Sequence, residues 1–513
     1  MVMFFVRRLL TSSLVVLVST FVMYVLVSIA IDPLFDLRQS TSPNKEQLIE
    51  QRRQSLQLDE SVFHRYFDWL GGAAGCVVGN CDLGSNWQTN QQVTDLLSGA
   101  ILTTLQLVSL ATVLAILIGV FIGIVSALRQ YSGFDYSITF VSFLLYSLPT
   151  FWVAVLLKQF LAIGFNDFLA DPSIAWWFYV ICVVLAGLTL MAALGGSTKN
   201  RLRNFAVAGG ATLVVLLYVE LTDFISDPTL GIVGVAVLSI GTALCVTILS
   251  TGLSDRRSLY AALTVAGLGI VLYQPMRYFW YYAGANWLIV IGMGVLAVLV
   301  GALVGFLWGG PDRSTVVRTA ALTAVPVSLY LFLDRLFSTW DVYVNHVRIS
   351  GRPISTSGRR TPNFEGNFWM ETLDLFGHLL LPTLTLTLIS FAAYTRYARA
   401  STLEVLNQDY IRTARAKGLT ERTVIMRHAF RNALIPLASI VPVDIITLIG
   451  GAVITERIFG WRGMGFLFAD SLEKNVIDPI MAYLLVVAIL AVVANFVADL
   501  VYAVLDPRIR VNA

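Results

Sequence analysis

Twelve uninterrupted apolar runs punctuate the chain, near residues 9–31, 99–127, 137–163, 174–194, 204–222, 230–251, 259–275, 286–308, 316–337, 376–394, 433–454 and 480–504. Each is long enough to cross a bilayer as a helix, which takes about 20 residues. The pattern therefore predicts an all-α polytopic membrane protein of about 12 transmembrane helices. The first run follows Arg7 and Arg8 and exceeds the roughly 7–15 apolar residues of a signal peptide, so it reads as a retained signal anchor. Three connecting stretches, 32–98, 338–375 and 395–432, are long. In the first, Val62, Phe63, Tyr66, Phe67 and Leu70 recur at helical spacing and predict an amphipathic helix. It is expected to lie on the membrane surface or pack on the bundle; a docking platform for an external partner is the alternative.

Basic residues orient the spans. With the amino terminus inside, the inside loops hold Arg129, then Lys199, Arg201 and Arg203, then Arg256 and Arg257, then Arg313 and Arg318. Loop 395–432 adds Arg396, Arg399, Arg412, Arg415, Lys417, Arg422, Arg427 and Arg431, and the tail adds Arg508 and Arg510. The outside turn 223–229 carries Asp223 and Asp227 instead. One outside stretch, 338–375, runs against the rule with Arg348, Arg352, Arg359 and Arg360.

Composition agrees. Of 513 residues, 57% are apolar and 13% charged, against about 45–50% and about 25% in soluble domains. A water-soluble enzyme, a nucleic-acid binder and a disordered chain are all disfavoured. The net charge of +3 says little as a sum.

Chemistry is sparse. No segment matches GxxxxGK[ST], so the chain lacks a phosphate-cradling loop and is not expected to hydrolyse ATP. The histidines at 64, 346, 378 and 428 are scattered, and the four cysteines form no CxxC pair, so neither a metal centre nor a catalytic site is expected. Cys182 and Cys245 fall in apolar runs, whereas Cys76 and Cys81 share a polar loop and can pair if it faces an oxidising space.

The most informative stretch is Asp409-Tyr-Ile-Arg-Thr-Ala-Arg-Ala-Lys-Gly-Leu-Thr-Glu-Arg422, continuing to His428-Ala-Phe-Arg-Asn-Ala-Leu-Ile-Pro436. Asp409 suits an N-cap, and Gly418 suits the left-handed residue that closes a helix. Thr420 with Glu421 marks a second start leading into the span at 433. Two readings stand on composition: a basic elbow shaped for a groove on a cytosolic protein, or a positive loop that only anchors orientation.

This stretch resembles the cytosolic EAA loop of ABC importer permeases, in the RTARAKG and RHAxRNAxxP form of the peptide/nickel, oligopeptide/dipeptide permease B-like branch. Arg412 stands where the generic motif has Glu. Gly79-Asn-Cys-Asp-Leu-Gly-Ser85, Ser147-Leu-Pro-Thr-Phe-Trp152, Leu380-Leu-Pro-Thr-Leu-Thr385, Gly450–Trp461 and Leu505-Asp-Pro-Arg-Ile-Arg510 are similar to other elements of that family. The resemblance implies a permease subunit in a bacterial cell membrane, both termini cytoplasmic. Its implied partners are a homologous second permease, two ATP-binding subunits that use ATP and Mg, and an extracellular substrate-binding protein. It also implies that Asp409, Tyr410, Arg412, Ala414, Arg415, Lys417, Gly418, Leu419 and Arg422 couple to the ATPase, and that Pro149 kinks the third helix; Pro149 is expected, with Asp444, on the pathway. Cofactors bound by this chain are not expected.

The resemblance covers 1–165 and 340–513, a six-helix core in two parts. Residues 166–339 form an insert of six further helices where the family has an outside loop. An even number of spans preserves the core topology, and the insert is expected to be peripheral. Asp444, mid-span, is expensive in a bilayer; it either lines the pathway or pairs with a neighbouring helix. Glu456 and Arg457 are expected at the outer mouth, facing the binding protein. Peptides are the expected cargo, with nickel or another small solute as an alternative. A twelve-span secondary transporter is the rival reading; it would require related halves and midplane coupling groups.

Overall fold

The computed structural model describes residues 2–310 and 312–505. The side chains of Arg7 and Arg8, and the closing Arg508 and Arg510, lie outside the described residues. Helix α1 (Val2–Ala30) is followed by α2 (Phe35–Gln39), α3 (Lys45–Ser55) and α4 (Val62–Gly75). A two-residue antiparallel pair, β1 (Ser85–Asn86) with β2 (Gln91–Gln92), sets Ser85 opposite Gln92 and leads into α5 (Val93–Leu128). Next come α6 (Gly133–Ser147), α7 (Thr150–Leu156), a π turn Leu157–Ile163 and α8 (Gly164–Ala170). The inserted helices are α9 (Trp176–Leu194), α10 (Thr198–Leu221), α11 (Gly231–Ser250), α12 (Arg256–Tyr282), α13 (Trp287–Trp308) and α14 (Arg313–Phe337). The chain then forms α15 (Trp340–Val344), α16 (Phe368–Leu406), α17 (Asp409–Ala416) and α18 (Glu421–Thr423), with a π turn Val424–Ala429. It closes with α19 (Phe430–Gly451), α20 (Val453–Ile458), α21 (Met464–Glu473) and α22 (Ile477–Leu505).

Among the described residues, eleven helical stretches are long and apolar enough to cross a bilayer, and the shorter Trp176–Ala192 in α9 stands beside them. Every apolar run of the sequence thus has a helix. The run at 137–163 is divided rather than kinked. Leu148 takes an extended backbone and Pro149 caps α7, because the proline ring disfavours a helical residue before it.

The core is organised around α5 and α16, of 36 and 39 residues. At about 1.5 Å per residue both exceed the roughly 30 Å hydrocarbon layer and project beyond it. They cross where Gly119 and Gly123 meet the backbone of α16: a Cβ at 123 would lie 2.5 Å from the Thr395 carbonyl oxygen. Helix α4 packs on α1 through Tyr66, Trp69 and Ala73, and Tyr66 donates to the Leu17 carbonyl at 3.1 Å. The buried line is therefore rotated from the expected stripe, and Phe63 and Phe67 are exposed. A disulfide joins Cys76 to Cys81 just beyond α4.

The insert is two units. Helices α9 and α10 pair as a hairpin beside α6, where the Arg129 guanidinium donates to the Leu194 carbonyl at 2.6 Å. Helices α12, α13 and α14 pack around Ala261, Val265, Val304, Val316, Ala320 and Ala324, and α11 completes the bundle through Ala243 against Ala262 and Ala266. This bundle leans on the first turn of α16, with Trp280 edge-on to Trp369 at 5.3 Å and Trp287 edge-on to Phe368 at 5.4 Å. Residues 164–170 belong with the core, since Asn166 exchanges hydrogen bonds with the Ile354 backbone at 2.8 and 3.2 Å. The inserted helices begin at Trp176.

Candidate coupling site

The elbow after α16 is built locally. Gln408, in extended backbone, is the N-cap of α17, which moves Asp409 into the first turn. The expected cap is thus displaced by one residue; the Asp409 charge still faces the favourable end of the helix dipole and lies 3.6 Å from Arg412. Gly418 takes φ +75°, a conformation that costs other residues about 1–2 kcal/mol. The Thr420 side chain then accepts from the Thr423 amide. The second helix is not separate: α18, the π turn and α19 run on as one rod into the membrane.

What seats α17 is an apolar pair that the motif residues frame. Ile411 is fully buried and Ala414 nearly so, against Val405, Leu406, Val424 and Ala429. Ala414 therefore holds the helix in place and is not presented outward. Asn432 donates to the Tyr410 hydroxyl at 2.9 Å, and the Arg415 guanidinium grips Glu421 with two bonds of 3.2 and 2.7 Å. That guanidinium holds the Glu421 carboxyl below its usual range. Asp409, Tyr410, Arg412, Arg415, Lys417 and Leu419 are left exposed on the outer side of the elbow. The Arg422 side chain lies outside the described residues.

The seat joins two long levers, the end of α16 and the start of α19. Further along α16, Arg399 forms a bidentate pair with Asp135 at 2.7 and 2.9 Å, and Ser126 donates to the same carboxylate at 2.5 Å. Asp135 is buried at the first turn of α6. A shift of α17 therefore bears on α16, α19 and, through this clamp, the turn between α5 and α6. Paired charges of this geometry transmit orientation as well as energy. The pair is 264 residues apart in sequence; the only hint in the sequence is a lone acid beside a basic inside loop.

The other expected site residues fall elsewhere. Asp444, half-buried on α19, stands beside the hydroxyl of Tyr394 on α16. Pro149 starts α7, away from the elbow. Glu456 does not face a partner: it is fully buried, accepting from Thr104 at 2.6 Å and from the Phe466 amide at 2.8 Å. Burial pushes its carboxyl up, and those two donors oppose the shift. Arg457 is exposed and paired with Glu473. Tyr394, Ile411 and Thr104 carry no signal as isolated sequence positions.

Comparison with known proteins places these features. Residues 297–511 match the family "Binding-protein-dependent transport system inner membrane component", and residues 1–108 match the N-terminal membrane component of such systems. The chain is 47% identical over 155 residues to the oligopeptide transport system permease protein AppB of Bacillus subtilis, covering 30% of this chain and 48% of that one. It is 42% identical over 229 residues to the dipeptide transport system permease protein DppB of Escherichia coli K12, covering 42% and 68%. It is 34% identical over 234 residues to the oligopeptide transport system permease protein OppB of Mycobacterium tuberculosis, covering 44% and 69%. The match thus spans about half the length of the first of these relatives and two thirds of the other two.

Proposed function

This chain belongs to the binding-protein-dependent transport system inner membrane components, and from that membership we propose that it is one of two permease subunits of an ATP-driven peptide importer. The second permease is a homologue. Two cytosolic ATP-binding subunits hydrolyse ATP with Mg, and a substrate-binding protein delivers cargo on the opposite face. The chain sits in a bacterial inner membrane with both termini cytoplasmic. Peptide cargo is supported by three relatives that are oligopeptide or dipeptide transport permeases.

The observation that carries this reading is the elbow. Its apolar side is spent on Ile411 and Ala414, while Arg412, Arg415 and Lys417 are exposed. A short rigid helix with an exposed basic face, fixed to two spanning helices, suits insertion into a groove on a moving cytosolic subunit. Closure of that groove then becomes a rigid-body shift of the core. Asp444 beside Tyr394 would lie on the route that this shift opens.

Purification from the native membrane tests the reading. ATPase subunits should accompany the chain, and vesicles with the binding protein should accumulate a labelled peptide when ATP is supplied. Charge reversal at Arg415 should leave the membrane helices folded and abolish accumulation. Absence of any ATPase partner, or unimpaired uptake by Arg415→Glu, would overturn the coupling assignment.

A further inference from the structure

The stretch that breaks the charge alternation, 338–375, folds over the end of the bundle opposite α17. Between it, α8 and the third turn of α16 lies a cavity of about 230 Å³. Its floor is buried and largely spoken for. Asn166 spends both ends of its amide on Ile354, and the Tyr343 hydroxyl donates to Asp374 at 3.3 Å. His378, 4% exposed, has its Nδ1 at 2.7 Å from the Asp374 carbonyl oxygen. Only a donor can face a carbonyl there, so in the neutral ring Nε2 is an acceptor, and His378 lines the cavity. The walls carry Arg348, Arg352 and Asp167, all exposed. Arg352 is 3.7 Å from Asp167, and no ion pair to Arg348 occurs among the described residues.

The lining has the polarity of a zwitterion's complement. Two guanidiniums favour a carboxylate, for which Arg offers a planar two-donor fork. One carboxylate and an imidazole acceptor favour an N–H-bearing group a few ångströms away. The volume is below the roughly 300–1,000 Å³ of ordinary ligand pockets and equals about eight waters at roughly 30 Å³ each. It admits a residue or two, not a whole oligopeptide. Arginines on an outer loop run against the usual bias of membrane proteins, and a ligand that needs them is a reason to keep them there.

We propose that this cavity is a subsite for the free carboxyl terminus of a short peptide, gripped by Arg348 and Arg352, with its amino nitrogen directed to Asp167 and an amide nitrogen to His378. The proposal rests on the peptide-importer reading and adds to it a terminus-reading site on the face where cargo is delivered.

The test uses the purified transporter complex in nanodiscs without binding protein, titrated with labelled Ala-Ala. Saturable binding is expected, at least tenfold weaker for amidated Ala-Ala and at least tenfold weaker in Arg348→Gln/Arg352→Gln. Both arginines are exposed, so that double variant should assemble normally, and Asp167→Asn should weaken binding of Ala-Ala but not of its N-acetyl form. Equal binding of the amidated dipeptide, equal binding by the double variant, or no saturable binding would overturn the proposal. So would displacement by inorganic phosphate as effective as by Ala-Ala, which would indicate a phosphate or lipid headgroup site. Uptake of Ala-Ala by the wild-type complex with binding protein is measured in parallel. Uptake without binding at this site removes the subsite alone; no uptake of any peptide removes the importer reading and the subsite with it.

Discussion

Helix α16 of the core and helix α10 of the insert are equally apolar to a hydropathy scale and built on different terms. The most hydrophobic stretch of α16 is 56% buried within the chain, whereas that of α10 is 6% buried. Yet α10 has the same mean hydropathy, 1.7, as α16. The core helix spends its length on protein contacts: glycines of α5 against its backbone, Asp135 on Arg399, Tyr394 beside Asp444, and an apolar seat for α17 at its end. The hairpin helix α10 packs on α9 and leaves Val207, Leu213, Val214, Val215 and Leu217 exposed. Hydrophobicity admits a helix to the bilayer; paired polar groups and close backbone approach fix it against its neighbours, as they also do in the α11–α14 bundle, where Ser250 meets Thr319 at 2.6 Å.

If that contrast is right, the core should be brittle and the insert dispensable. The largest effect is expected from Arg399→Ala, which leaves the buried Asp135 unpaired. Breaking such a pair costs about 3–5 kcal/mol, so the complex should fail to accumulate as a monodisperse species on size-exclusion chromatography. Asp135→Asn/Arg399→Gln should recover much of the loss by removing both charges, and no recovery would mean the pair is not the cause. Next, Ile411→Ala empties the seat of α17. Such truncations cost about 2–5 kcal/mol, here concentrated in the elbow, so ATPase subunits should dissociate while the membrane helices remain assembled, as pull-down would report. Gly418→Val is third. The strained left-handed backbone, about 1–2 kcal/mol, should lower the ratio of peptide transported to ATP hydrolysed without loss of assembly.

The smallest effect belongs to the insert. Joining the chain directly across 174–337 removes every inserted helix but keeps Asn166 and its bonds to Ile354. Assembly with partner subunits should persist, with transport within about twofold of the full chain. Trp369 loses its packing against Trp280, so a modest fall in thermal stability is expected. Transport abolished despite normal assembly would end the view that these helices are peripheral.

Features that depend on a few adjacent residues are legible in the sequence. Gly418 at the left-handed turn, the Thr420 cap and the break around Pro149 follow from backbone sterics within three or four positions, although the break is sharper than the expected kink. The displaced cap at Asp409 is of the same local kind, since the change from extended to helical backbone falls one residue earlier, at Gln408, which caps by its backbone and makes no side-chain cap bond. Glu456 departs from expectation for a different reason. Its position just beyond an apolar run suggests exposure at a membrane surface, but α20 and α21 fold it under, onto Thr104 of α5, 352 residues away. Ile411 sits inside a motif whose charged members dominate the pattern, and nothing local marks it as the residue that seats the helix.

Twelve apolar runs, the basic loop between two of them and the turn at Gly418 were determined by the sequence alone, because hydropathy and backbone preference are summed over neighbours in the chain. Which helices become machinery was decided only by the tertiary structure. The Asp135–Arg399 clamp, the seat under α17 and the cavity below Arg348 each join groups far apart in the chain. A buried charge is tolerated only where packing brings its partner within bonding distance, and no local pattern reports that distance.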